Sequence, residues 1–177
     1  MLTICKYIVI TLLVSILAGC GFHLRGHTPL PPELKVMYLQ TNAPYSDFTK
    51  QLKLMLNSAK VTLVDEQQAA PITLQILSAA DSQLLTSSSA SGQTNTYALN
   101  YTVIYQLLNN RGQVIEGPQT VITTRNYSVT SNQVLGDTTV QNALLLQMQR
   151  DAIYQMINRL RTPQLLKALA AQAKITP

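Results

Sequence analysis

Between Tyr97 and Leu107 apolar and polar positions alternate. Tyr97, Leu99, Tyr101, Val103, Tyr105 and Leu107 fall on one side, and Ala98, Asn100, Thr102, Ile104 and Gln106 on the other. A period of two is the signature of a half-buried strand, so this stretch predicts the longest strand of the chain. Asn109-Asn110-Arg111-Gly112 follows, with residue types that tolerate a positive φ, and predicts a hairpin turn. The return arm starts at Val114-Ile115, breaks at Gly117-Pro118 and resumes from Thr120 to Val129. Proline has no N–H for a ladder, so Pro118 marks either a bulge or a sheet edge. Ile72, Leu74 and Ile76 alternate with Thr73 and Gln75 as a further strand, and Val36–Leu39 and Val61–Val64 read as short ones. Residues 86–96 are Ser, Thr, Asn, Gln, Gly and a single Ala, too polar to pack, and form either a mobile loop or a hairpin tip.

Two segments switch to helical spacing. Phe48, Leu52, Met55 and Leu56 recur on one stripe after Ser46, with Asp47 placed to favour a helix N-terminus. Leu145, Met148, Ala152, Met156 and Leu160, with Ile153 beside them, form a broader stripe. For this helix Asp137 or Thr138 is the expected cap, since Thr138-x-x-Gln141 has capping-box spacing, and Thr162-Pro163 is the expected stop. Residues 163–177 read as a tail with at most a loose amphipathic turn or two. The element order implies an α+β domain over residues 36–162, a two-layer sandwich with two helices on one face of a roughly four-stranded sheet, mixed or antiparallel.

The N-terminus is of another kind. Lys6 precedes an apolar run from Tyr7 to Ile16, followed by Leu17-Ala18-Gly19-Cys20. A basic start, a short apolar run and small residues make a secretory signal. The run is too short to span a bilayer, which takes about 20 residues. Cysteine directly after Leu-Ala-Gly resembles a bacterial lipobox, in which residues 1–19 are removed and Cys20 is lipidated. Three acyl chains, at about 0.8 kcal/mol per buried CH₂, hold a domain stably on a membrane. The other cysteine, Cys5, leaves with the signal, so no thiol remains for a disulfide, a metal or catalysis. Resemblance to the bacterial lipoprotein-sorting system implies, from Gly21 rather than Asp at the position after Cys20, the periplasmic leaflet of the outer membrane. Residues 20–35, with Pro29, Pro31 and Pro32, read as a semi-rigid connector.

Removing residues 1–19 leaves twelve basic and eight acidic residues, a net charge of +4 without any run of Lys and Arg. This excludes the basic stripe of a nucleic-acid binder. Chemistry of other kinds is also lacking in the sequence. His23 and His27 both lie in the connector, without the further ligands of a metal site. There is no Gly-rich phosphate loop, and Ser87-Ser88-Ser89 has no partner base, so neither an enzyme nor a cofactor is expected. The tyrosine stripe is either a plain sheet face or, in part, a wall for an apolar ligand or partner.

Cys20-Gly21-Phe22-His23-Leu24-Arg25-Gly26 closely resembles the start of the LPS-assembly lipoprotein (LptE) family. Val36–Leu39, Gly92-Gln93-Thr94-x-x-Tyr97 and Thr124-Arg125-Asn126-Tyr127 extend the likeness in order and spacing across residues 17–162. The resemblance implies two helices on a four-stranded sheet, seated as plug and assembly factor in the outer-membrane β-barrel LptD, and binding of lipopolysaccharide. One departure stands out: where family members can carry a basic residue before Gly92-Gln93-Thr94, residues 86–91 here are all Ser, Thr or Ala. The competing reading is a general outer-membrane assembly or secretin-pilot-type lipoprotein that binds protein only.

Lipopolysaccharide sets phosphates beside acyl chains, so its site needs cations next to apolar surface. Arg125 is the first candidate, because a guanidinium can grip phosphate with two parallel bonds and Arg125 shares a strand face with Val121, Tyr127 and Val129. A structural ion pair or a barrel contact is the alternative role. Arg111, at the turn, and Lys60 are secondary candidates, since turn tips reach a ligand easily.

Overall fold

The computed structural model describes residues 30–90, 92–130 and 134–173. The signal segment, Cys20, His23 and His27 lie outside them. The elements, in chain order, are β1 (Val36–Thr41), α1 (Asp47–Ser58), β2 (Thr62–Val64), β3 (Ile72–Ser88), β4 (Thr94–Asn109), β5 (Val114–Thr130), α2 (Val134–Arg159) and α3 (Pro163–Ala173), with short 3-10 turns at Pro32–Leu34 and Gln67–Ala69.

The five strands form one mixed sheet in the order β2-β1-β3-β4-β5. β1 runs parallel to β2 and β3, whereas β3, β4 and β5 form an antiparallel meander. The fold class is therefore α+β as the patterning implied, with one correction to each layer. The sheet has five strands, because the three-residue β2 pairs as an edge of β1. A third helix also stands where a tail was expected. Thr162-Pro163 does end α2, but Pro163 also opens α3, since proline's fixed φ suits a first helical position. Leu165 and Leu169, one turn apart, are buried in the core.

The Tyr97–Leu107 alternation becomes the central strand. Leu99, Tyr101, Val103, Tyr105 and Leu107 are buried under the helices, and Tyr97 is half-buried. They meet Leu74 and Val121 from neighbouring strands and Phe48, Leu52, Met148, Ile153 and Met156 from α1 and α2 in one core cluster. Of residues 86–96, Thr86–Ser88 end β3 and Thr94–Thr96 begin its partner β4, so the stretch is a hairpin tip. Pro118 satisfies both readings offered for it. It lies on the edge strand β5, and the β4–β5 register shifts around it, Tyr105 facing Gln119 while Leu107 faces Glu116. At the β4–β5 turn Gly112 takes φ +75°, and Asn109 Oδ1 accepts the backbone N–H groups of Arg111 and Gln113.

Helix ends follow local chemistry. α1 starts just after Ser46 as the spacing predicts, and Ser46 Oγ caps it by accepting the Thr49 N–H at 3.2 Å. The expected cap of α2 does not hold. The helix begins at Val134, so Asp137 and Thr138 lie inside its first turns. Any i,i+3 pair of these residue types inside a helix reproduces capping-box spacing, and here the helical hydrogen bonding simply starts earlier.

At the other end of α1 the Val61 N–H bonds the Leu56 carbonyl and the Lys60 N–H bonds that of Asn57, both at 3.0 Å. This 6→1 and 5→2 pair is a Schellman motif, and the burial of Leu56 and Val61 supplies the apolar contact that usually goes with it. The position in the left-handed region is normally glycine, yet Lys60 occupies it with φ +66°. A left-handed L-residue costs roughly 1–2 kcal/mol. Lys60→Gly is accordingly expected to raise stability by about 0.5–1 kcal/mol, read as a higher denaturation midpoint with an unchanged slope.

Candidate functional site

The three cations singled out in the sequence do not converge. Lys60 leads into β2 and Arg111 sits in the β4–β5 turn, both at the sheet end where β1, β2 and β3 begin. Lys35, just before β1, lies at that end too, where its carbonyl accepts the Thr62 N–H at 2.7 Å. With strands about 4.8 Å apart, these three span roughly 15 Å. Glu33, in the 3-10 turn before Lys35, tempers their charge. Arg125 lies more than ten residues along β5 from the turn, opposite Leu99. At about 3.3 Å per residue that is some 30 Å or more away. It belongs to a different part of the surface.

Arg125 is placed by two elements. It lies on the helix-facing side of β5, two residues beyond the buried Thr123, whose hydroxyl donates to the Met148 carbonyl of α2 at 3.4 Å. That contact brings Asp151, one turn on, to Arg125, and the guanidinium Nη2 donates to Asp151 Oδ2 at 2.7 Å. Nη1 donates to the Thr124 carbonyl at 3.3 Å. Both side chains of the ion pair keep access to solvent, at 44% and 36%. They line an open groove with Ile122, Thr124, Tyr154 and Gln155. Tyr154 of α2 is the exposed large apolar residue on the guanidinium's side of this groove, whereas Ile122, also exposed, points to the other face of β5. The combination of cation and apolar surface is thus present, with Asp151 holding one edge of the cation. Asp151 could not be found from the sequence. It lies 26 residues from Arg125, and its partner is set by how α2 crosses β5.

The two family-like stretches meet in space. Tyr97 pairs with Tyr127, Ala98 with Asn126 and Leu99 with Arg125. The Tyr97 and Tyr127 rings stack with centroids 5.6 Å apart, directly beyond Arg125. The tyrosine stripe therefore has two parts. Tyr101 and Tyr105 are core, where burial pushes the phenol of Tyr105 up to about 12; the Arg159 cation opposes that shift and Glu116 adds to it. Burial raises Tyr101 further, helped by the Asp81 carboxylate. Both phenols are neutral at physiological pH. Tyr97 and Tyr127, only half-buried, lie where the covered part of the sheet gives way to the exposed hairpin tip.

The face of the meander turned away from the helices holds polar cross-strand pairs: Gln106 with Gln75, Thr124 with Asn100 at 2.7 Å, and Thr96 with Ser128 at 3.0 Å. By register it also carries Ser78, Ala80, Ser82 and Leu84 of β3 with Thr102, Ile104 and Ile122, and no charged side chain from Thr73 to Ser128 falls on it. Among the described residues no three His, Cys, Asp or Glu side chains gather as a metal site, and no helix is long and apolar enough to cross a membrane.

Comparison with known proteins agrees with this architecture. The family described as LptE, lipopolysaccharide-assembly, matches residues 34–160. The LPS-assembly lipoprotein LptE of Pectobacterium atrosepticum is 29% identical over 156 residues, 88% of this chain and 84% of that one. Its counterpart in Yersinia enterocolitica is 36% identical over 98 residues, 55% of this chain and 47% of that one. Among solved structures, lipoprotein B from Nitrosomonas europaea superposes with a TM-score of 0.67 at 24% identity, over 80% of this chain and 90% of that one. A minor lipoprotein from Acinetobacter baumannii does so with a TM-score of 0.63 at 22% identity, over 75% and 93%. These two structures share the fold. The family match spans β1 through α2, the sheet and both long helices that carry the core and the Arg125 groove, and the chain belongs to the LptE family of lipopolysaccharide-assembly lipoproteins.

Proposed function

We propose that this lipoprotein, anchored through Cys20 to the periplasmic leaflet of the outer membrane, forms a complex with the LPS-translocating barrel LptD and binds lipopolysaccharide there, without catalysing a reaction. Family membership over residues 34–160 is the observation that carries this reading. Two features support it. The uncharged outer face of the meander suits close packing against a protein wall, since no charge there would have to be stripped of water. The Arg125 groove offers a guanidinium on the same side as the exposed ring of Tyr154, the pairing that a phosphate next to an acyl chain requires.

Purification of the tagged full chain from outer membranes tests the whole reading. The expected result is a stoichiometric complex with one large barrel, with lipopolysaccharide in the sample. Recovery of several unrelated proteins and no lipopolysaccharide would instead favour a protein-only assembly or pilot role.

The site has its own test. Arg125→Ala is expected to weaken lipopolysaccharide binding by the purified chain several-fold, more at low than at high salt, because exposed charges are screened. Asp151→Asn, which releases the guanidinium, should leave binding equal or tighter. Both variants should melt close to the parent, since a pair this exposed contributes about 0–1 kcal/mol. If both bind lipopolysaccharide as the parent does and Arg125→Ala loses the barrel, Arg125 belongs to the partner interface.

A further inference from the structure

β3 has two halves with different surroundings. From Ile72 to Ile76 it lies between β1 and β4, and its side chains are mostly buried. β1 ends at Thr41, opposite Ile76. From Leu77 to Ser88, twelve residues, every side chain is exposed, and among the described residues β4 is the only strand paired with it. A register shift between Ile76 and Ser78 marks the point where the neighbour is lost. A strand with one open side presents a row of unpaired N–H and C=O groups, a template for another extended chain.

Proteins normally protect such an edge with Lys, Pro or a covering element. Residues 77–88 contain no Lys, no Arg and no Pro. Small residues (Ser78, Ala79, Ala80, Ser82) leave room for an incoming backbone, and Leu84 and Leu85 are 63% and 52% exposed on opposite faces. Where β1 stops, a cleft of about 230 Å³ opens between the end of β1, the start of α1 and the bulge of β3, lined by Phe48, Leu77, Asp81, Tyr101 and Gln149 among others. It lies in the lane that β1 vacates, so a strand continuing that lane would lower a side chain into it. Asp81 is the one charged residue of this edge, and no cation pairs with it among the described residues.

We propose that the Leu77–Ser88 edge of β3 takes up an extended polypeptide segment of a partner protein by strand addition, with a Lys or Arg of that segment facing Asp81 at the cleft. Main-chain bonds along the edge give affinity and the cleft gives selectivity, as in other sheets that bind peptides by adding a strand. A second copy of this chain is a poorer occupant. Paired through the same edge it would bring another Asp81 and no cation, because residues 77–88 hold none. The inference stands on the open edge and its charge alone and does not depend on lipopolysaccharide binding.

The test uses the full chain in detergent and a dye-labelled ten-residue peptide of alternating Thr and Val with one central Arg. Binding should protect backbone amides within 77–88 from hydrogen exchange. N-methylating one alternate set of peptide residues should abolish binding, and methylating the other set should leave it, because only every second N–H of a strand faces the edge. Asp81→Asn should weaken the Arg peptide about two- to fivefold, a surface ion pair's contribution, without weakening a Glu version. Equal loss with both methylated sets, no protection within 77–88, or concentration-dependent dimers that the peptide cannot dissociate would each overturn the proposal.

Discussion

Leu99→Ala is expected to lower the unfolding free energy by about 2–4 kcal/mol, and Val103→Ala by about 1–3 kcal/mol, in equilibrium denaturant melts. Both side chains are fully buried, Leu99 at 0% and Val103 at 0% exposure, in the middle strand of the meander and beneath the helices. Helices packed over the strand on one side and neighbouring strands on two others leave little scope for collapse around the missing methyl groups, so a cavity adds to the lost transfer energy. Gln113→Ala serves as the control. It too ends a side-chain contact, the Asn109 Nδ2 to Gln113 Oε1 bond of 2.9 Å, but at an exposed turn where water replaces it. Its effect should stay within about 0.5 kcal/mol. Equal effects at Leu99 and Gln113 would mean that the helices do not cover the odd-numbered face of β4.

What the sequence made legible here was whatever repeats at short range. The period-two run at Tyr97–Leu107, the Asn-Asn-Arg-Gly turn, the helix start at Ser46 and the stripe through Met148 and Met156 each encode their structure within a few residues, and each formed as expected. β2 could be read as a short strand at Val61–Val64, but its place as a fifth strand at the sheet edge depends on pairing with β1, which is long-range. The start of α2 was misplaced because a capping-box spacing is indistinguishable from an ordinary helical i,i+3 pair.

The candidate site was less legible than the fold. Arg125 could be named from its strand and its neighbours, yet the ion pair with Asp151 depends on a helix crossing that no local pattern specifies. The separation of Arg111 and Lys60 from Arg125 is likewise a matter of topology. Turn residues at one end of a long meander cannot meet the middle of its edge strand. The open edge after Ile76 follows from the unequal lengths of β1 and β3, six residues against seventeen, which only the sheet reveals.

The same distinction between local and long-range information governs α3. An isolated helix shorter than about 12–15 residues is marginal in water, and α3 has 11. Its stability must come from what it covers. Leu165 and Leu169 enter the core cluster at 3% and 4% exposure, and the helix lies against β5. Leu165→Ala and Leu169→Ala are each expected to cost about 2–4 kcal/mol, whereas Lys167→Ala, on the exposed side of the same helix, should stay within about 0.5 kcal/mol. The two leucines are one turn apart on the same contact, so the double variant should cost less than the sum of the singles. Hydrogen exchange supplies a second readout. If α3 is part of the cooperative core, its amides in the parent should exchange at the rate of the β4 amides, and all should speed up together in the variants. Amides of 166–171 that exchange freely in the parent, with Leu165→Ala no more costly than Lys167→Ala, would show that the segment does not pack and would return it to the status of a tail.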